Sequence, residues 1–275
     1  MSLAPLEAPG IISAWGDNTP LEQDFLSSAH GCGWHVDRNR FDAMLCQEAA
    51  GAGVTYFESR RATPVMQAGV WRLGEISARF LVDASGRNGL RMNTDHAWKV
   101  DDTLLAVTVR AEPDSGADLR TIIETTSSGW WYSSPIPGKQ LVAMFFTSPE
   151  VYTEGGIVLG EQLEAAPLTA ARLENTRIVS TRVVHARSAC RTVISGENWL
   201  AVGDSASCYD PLAGRGIFKA FRHGMAAAEA VIDGNTEGYQ ARVRHEFLEY
   251  ARQRSDFYAG ERRWPKSPFW AVRRA

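Results

Sequence analysis

Gly203-Asp204-Ser205-Ala206-Ser207-Cys208-Tyr209-Asp210-Pro211-Leu212-Ala213-Gly214-Arg215-Gly216-Ile217 is the stretch on which the reading of this chain turns. The apolar run Trp199-Leu200-Ala201-Val202 precedes it, and a helical pattern from Phe218 to Val231 follows. The order predicts a buried strand ending in a carboxylate, a rigid Asp-Pro turn, and a glycine-rich segment opening a helix. Such a corner offers one acid to sugar-like hydroxyls and bare backbone N–H groups to an electron-rich acceptor. In open α/β sheets ligands sit beyond the carboxyl ends of strands, which is where Asp204 falls. Gly214 and Gly216 remove side chains where a flat ligand would approach, and the helix N-terminus would favour a ring that becomes anionic on reduction. A helix-capping aspartate in an ordinary strand-turn-helix corner is the plainer alternative for Asp204 taken alone.

Composition narrows the function classes. With 275 residues, 44% hydrophobic and 22% charged, the chain can bury a substantial core in one large domain or two modest ones. A net charge of −3 gives no general case for nucleic acid or a membrane surface. No apolar run reaches the ~18 residues of a transmembrane span, and no signal-peptide pattern opens the chain. The cysteines Cys32, Cys46, Cys190 and Cys208 form no CxxC pair, so reduced thiols and a cytoplasmic location are expected. The histidines show no HxxxH or HExxH spacing, so no metal site is expected.

Along the chain, residues 1–33 read as loop, broken by repeated Pro and Gly. Asp37 is a candidate cap for a helix carrying Phe41, Met44, Leu45 and Ala49, and Val54 to Phe57 reads as a short strand. Residues 60–83 suggest an antiparallel meander closing on the strand Phe80-Leu81-Val82-Asp83. Strand-like runs at 103–110, 120–126, 130–134 and 140–147 suggest an inserted antiparallel sheet, followed by a helix at 159–174 and a strand at 177–185. A long amphipathic helix from about Gly238 to Tyr258 carries Tyr239, Val243, Phe247, Tyr250 and Phe257 on one stripe.

Serine hydrolysis is excluded on spacing. Gly203-Asp204-Ser205 matches the nucleophile block of one esterase family, but neither His223 nor His245 has an Asp three residues before it. Ser207 also occupies the second glycine of a G-x-S-x-G elbow. The stretch instead resembles the flavin-proximal motif (Gly-Asp, then Asp-Pro-x-x-Gly-x-Gly-Ile) of FAD-dependent monooxygenases of the p-hydroxybenzoate hydroxylase fold. That superfamily also contains flavin-dependent halogenases and geranylgeranyl reductases. Two further segments are similar to it: Phe80 to Arg87, matching a strand that ends in Asp-x-x-Gly, and Val36 to Leu45, matching the helix beside the FAD pyrophosphate.

The resemblance implies an α/β fold: a three-layer Rossmann-like FAD-binding domain with an inserted antiparallel substrate domain. The expected division is 1–92 with 185–234 as a discontinuous, partial FAD-binding domain, 93–184 as the β-rich domain, and 235–275 as a C-terminal helix and tail. It implies FAD as cofactor, with Asp204 on the ribityl chain, Pro211, Gly214, Gly216 and Ile217 lining the isoalloxazine, and Arg38 near the pyrophosphate. Asp83 and Gly86 are expected to shape the sheet edge. The implied chemistry is O₂-dependent oxidation of an aromatic or tryptophan-like substrate, a small molecule or protein-bound group. No side chain is named as general acid or base, and no counterpart of the halogenases' catalytic lysine is identified.

Gly129-Trp130-Trp131-Tyr132 with Ser133 to Pro137 resembles a stretch of tryptophan halogenases with its second tryptophan misplaced. Together with Gly33 to Arg38 it is closer to the branch that matures tryptophan-derived quinone cofactors. Trp130, Trp131 and Tyr132 are therefore substrate-cavity candidates, with packing in a sheet core as the alternative. Cys208 reads as a small buried hydrophobe. The tail from Arg252 mixes basic and aromatic residues, which suits either docking to a protein or membrane surface or packing on the body of the protein.

The family's opening βαβ unit with Gly-x-Gly-x-x-Gly is absent from residues 1–33, so a truncated or mis-assigned start is expected. Two other readings stay open: a non-catalytic remnant acting as a protein-binding scaffold, and a flavin reductase of isoprenoids.

Overall fold

A computed structural model describes residues 4–25, 28–29, 31–57, 63–90, 97–116, 118–154 and 159–274. The described helices are α1 (Arg38–Gly51), α2 (Pro149–Glu154), α3 (Leu159–Glu164), α4 (Pro167–Leu173), α5 (Gly216–Asp233), α6 (Thr236–Gly260) and α7 (Pro268–Arg274). The chain divides into two compact units, residues 1–58, 105–185 and 257–275, and residues 59–104 and 186–256.

The first unit is built on a seven-stranded sheet in the order Thr176–His185, Leu105–Pro113, Gln140–Thr147, Gly129–Ile136, Thr121–Thr126, Gly10–Ala14, Leu21–Asp24. Its neighbours are antiparallel except Thr121–Thr126 with Gly10–Ala14, which run parallel. Strand Gly129–Ile136 is buried at nearly every position, because both faces of the sheet are covered there. On one face Trp131 packs with Phe145, Val107, Val109 and Ala143, with Leu159 and Leu163 of α3 against them. On the other, Trp130 stacks on Phe146 at 4.1 Å, and Trp15 stands edge-on to Trp130, Tyr258 and Trp270.

Residues 1–33 are not loop throughout. Strands Leu6–Ala8, Gly10–Ala14, Leu21–Asp24 and Gly33–His35 occupy part of them. Strand Gly10–Ala14 is half-buried, its residues alternating between buried and partly buried along its length. Gly10 is needed there, since a Cβ would stand 2.3 Å from the Gln23 carbonyl oxygen. Val54 to Phe57 forms no strand. The helix expected over 159–174 is split in two, because Pro167 cannot continue a preceding helix and opens a new one instead. Helix α1 begins as expected, with the Asp37 carboxylate accepting from the Asn39 and Arg40 N–H groups, yet it buries none of its residues.

The second unit holds the α/β part. Strand Leu81–Asp83 pairs in parallel with Trp199–Ala201, which pairs antiparallel with Ser195–Gly196. A three-stranded meander, Val65–Gln67, Val70–Leu73 and Ile76–Ala78, turns at Ala68-Gly69 and at Gly74, all with positive φ. Helices α5 and α6 close the core: Ala226, Ala227 and Ala230, with Tyr239, Val243, Phe247 and Tyr250, pack on Ile194, Leu200 and Ala201. The expected stripe on α6 holds through Tyr250. Phe257 is 64% exposed and Tyr258 is buried in its place.

Candidate functional site

The corner at 203–217 is assembled from the end of strand Trp199–Ala201, all of it buried. Val202 is extended, and Gly203 then takes φ +57°, a left-handed conformation that only glycine adopts cheaply. The chain makes one 3₁₀ turn, Gly203–Ser205, which lifts the Asp204 carboxylate to a half-buried position. The Gly203 N–H donates to His223 Nδ1 at 3.2 Å, so the His223 ring is an acceptor at that nitrogen. Burial, with Lys219 nearby, drives the His223 pKa down to about 4, and the imidazole stays neutral.

Asp210-Pro211 is held from behind. The Asp210 N–H donates to the Tyr250 hydroxyl at 2.6 Å, its carboxylate caps the Leu212 N–H at 2.8 Å, and Arg254 lies 3.6 Å from that carboxylate. Tyr209 stacks on Tyr250 at 4.0 Å. A second 3₁₀ turn, Pro211–Ala213, ends on Gly214 at φ +60°. Helix α5 then starts at Gly216 with no side chain capping it. Cβ atoms built on Gly214 and Gly216 meet nothing within 4 Å. The corner therefore presents an uncapped helix N-terminus and two glycines to open space, which fits a flat acceptor-edged ring.

Both oxygens of Asp204 are held by cations. Lys219 Nζ donates to Oδ1 at 2.7 Å, and Arg87 Nε lies 3.2 Å from Oδ2. Arg87 is itself fixed by bonds to the Arg187 and Tyr209 carbonyls at 3.0 and 3.1 Å. Lys219 also donates to the Ser207 carbonyl and sits 4.2 Å from the centre of the Tyr209 ring. Burial holds the Lys219 ammonium below the usual lysine range, against the opposing pull of Asp204. Asp83, fully buried, pairs with Arg191 at 2.9 Å and accepts from the Ser85 and Leu90 N–H groups, which fixes the strand end beside the corner. Burial pushes the Cys208 thiol up, as Asp204 also does, leaving it protonated.

Of the residues singled out by sequence, the structure brings together Asp204, Pro211, Gly214, Gly216 and Ile217 in the second unit. Arg38 belongs to the first unit, where it is exposed and pairs with Asp42 at 3.3 Å. Trp130 and Trp131 are 1% and 0% exposed, and their indole N–H groups donate to the Tyr258 hydroxyl and the Gln162 carbonyl. In the tail, Tyr258, Phe269 and Trp270 are buried in the first unit, and Glu261 is held by Arg263, Thr125 and the Gly16 N–H. Those aromatics pack on the sheet.

Sequence reading missed Lys219, Arg87 and His223. A signal existed for two of them. Lys219, His223, Ala226, Ala227 and Ala230 follow helical spacing on the buried face of α5, so a lysine and a histidine stand where apolar residues belong.

The protein described as FAD-dependent oxidoreductase LodB, of Marinomonas mediterranea, is 25% identical over 97% of this chain and 78% of its own length. Tryptophan 2-halogenase of Chondromyces crocatus is also 25% identical, over 96% of this chain and 57% of its own. Among solved structures, the flavin-dependent halogenase CmlS superposes with a TM-score of 0.82 at 22% identity, covering 98% of this chain and 56% of CmlS. QhpG, a peptidyl tryptophan dihydroxylase essential for tryptophylquinone cofactor biogenesis, superposes at 0.78 with 22% identity, covering 99% and 65%. The chain thus spans a little over half the length of CmlS and of the tryptophan 2-halogenase. The fold is that of the flavin-dependent halogenases. The family described as tryptophan halogenase matches residues 13–274, and the chain belongs to that family of FAD-dependent oxidoreductases.

Proposed function

We propose that this chain forms the flavin end of an FAD-dependent oxidoreductase acting on an aromatic, tryptophan-like group. The observation that carries the reading is the open face of Gly214 and Gly216 at the uncapped start of α5, next to a carboxylate held in place by two cations. FAD, when bound, supplies the electron transfer and the O₂ chemistry. The chain's own residues do the rest. Asp204 accepts hydrogen bonds from ribityl hydroxyls, the first N–H groups of α5 face the acceptor edge of the ring, and Pro211 and Ile217 flank it.

Family membership supports an aromatic substrate, and the likeness to QhpG, described as a peptidyl tryptophan dihydroxylase, favours a tryptophan carried on a peptide over a free one. Trp130 and Trp131 are assigned to packing, since their burial leaves no surface for a substrate. The test is an equilibrium titration of the purified chain with FAD, followed by flavin fluorescence. Saturable binding that Asp204→Ala weakens is expected. Absence of any binding by the wild-type chain overturns the reading.

A further inference from the structure

Lys219 stands in the first turn of α5, an unfavourable place for it on two counts. Its side chain is 3% exposed, so the ammonium has lost its water. It lies at the N-terminal, partially positive end of a helix, where a cation is disfavoured. A lysine on a surface helix normally keeps its charge in solvent by extending its stem outward, and this one does not. Two costs at one residue call for a compensating contact. The contacts are few and specific: Asp204 Oδ1 at 2.7 Å, the Ser207 carbonyl, and the Tyr209 ring. Only the first reaches a group that is partly open to solvent, since the Asp204 side chain is 30% exposed.

The second oxygen of Asp204 is taken by Arg87, whose remaining bonds go to backbone carbonyls. The carboxylate is therefore clamped from two elements, the loop after strand Leu81–Asp83 and helix α5. Each oxygen keeps further acceptor capacity, because a carboxylate oxygen can take more than one hydrogen bond. Its orientation is fixed before any ligand arrives, so no side-chain freedom is lost on binding.

We propose that Lys219 is a positioning residue that, with Arg87, sets the Asp204 carboxylate to receive the polyol hydroxyls of the flavin. This inference rests on the function proposed above. A lysine that merely holds the corner together would affect every ligand of the corner alike. One that acts through Asp204 affects only ligands bearing a polyol. Riboflavin carries the ribityl chain and lumiflavin has the same ring without it, so their dissociation constants separate the two roles.

The wild-type chain should prefer riboflavin over lumiflavin by roughly tenfold or more, the size expected of hydrogen bonds to a charged group. Lys219→Met should bring that ratio close to one with little change in lumiflavin affinity. Asp204→Asn should do the same, and the double variant should lose little more than either single one. If Lys219→Met does not accumulate as folded protein, Lys219→Gln, which can still donate to the Ser207 carbonyl but has no charge, carries the same expectation. A Lys219 variant that keeps the wild-type ratio, or a double variant whose losses add, overturns the inference while leaving the flavin reading intact. A wild-type chain that binds neither flavin removes both.

Discussion

The aromatic sheet of the first unit and the glycine corner of the second are built on opposite principles. Around Trp130 and Trp131 the sheet is covered on both faces, large side chains fill the space, and every indole N–H noted above has a partner. At 203–217 the ties run behind the surface, through His223, Tyr250, Asp83 and Arg254, and the front is left as two glycines and a bare helix end. The comparison teaches that the most conspicuous residues in the sequence make the scaffold. The corner is open where side chains are absent, and its neighbours are tied down from behind.

Substitutions can break this contrast from either side. The largest effect is expected at Trp131, fully buried among Phe145, Val107 and Ala143. Trp131→Ala should cost about 3–5 kcal/mol of stability by denaturant unfolding, with the flavin affinity of the folded protein unchanged. A specific loss of flavin or substrate affinity with stability intact would place Trp131 in the site after all. Asp204→Ala should act the other way, lowering FAD affinity by roughly tenfold to a hundredfold, the worth of hydrogen bonds to a charged group. Some stability is also expected to go, because Lys219 is left buried without its carboxylate.

A smaller effect follows from His223. Its folded pKa is about 4 against 6.5 for a free imidazole, so the unfolded chain binds more protons between those values. Stability should therefore rise with pH through that window and fall as the pH drops toward about 4, by an amount on the order of 1–3 kcal/mol. Urea midpoints at the two ends of the window measure this, and His223→Asn, which keeps an acceptor for the Gly203 N–H, should flatten the difference. An unchanged slope would mean that other groups carry it. The smallest effect is expected at Arg38, whose pair with Asp42 is solvent-exposed. Arg38→Gln should change stability by no more than a few tenths of a kcal/mol.

Much of this was readable in the sequence. The Asp-Pro turn, the glycines and the flanking apolar runs placed the corner at the end of a buried strand and the start of a helix. The antiparallel strands from Leu105 to His185 followed from β-rich runs bounded by turn residues. Three things were not readable. Strand Gly10–Ala14 is five residues long and finds its partner at Thr121–Thr126, far away in sequence, so no local pattern announces the pairing. Trp130 and Trp131 carry the same aromatic signal in a core as in a cavity, and only the covering of both faces decides between them. The clamp on Asp204 joins residues 87, 204 and 219, and its one local trace is a lysine on the apolar stripe of α5.

The central claim is that the open face of the corner exists for a ligand, and Gly216→Val tests it most directly. A Cβ at Gly216 has no atom within 4 Å beyond its chain neighbours and its own helix turn, so thermal unfolding should show a stability equal to or slightly above wild type. The same side chain would fill the space a flavin ring occupies. FAD titration of this variant should show binding lost by a hundredfold or more (roughly 3 kcal/mol) in a fully folded protein. Unchanged FAD affinity in folded Gly216→Val would contradict the account.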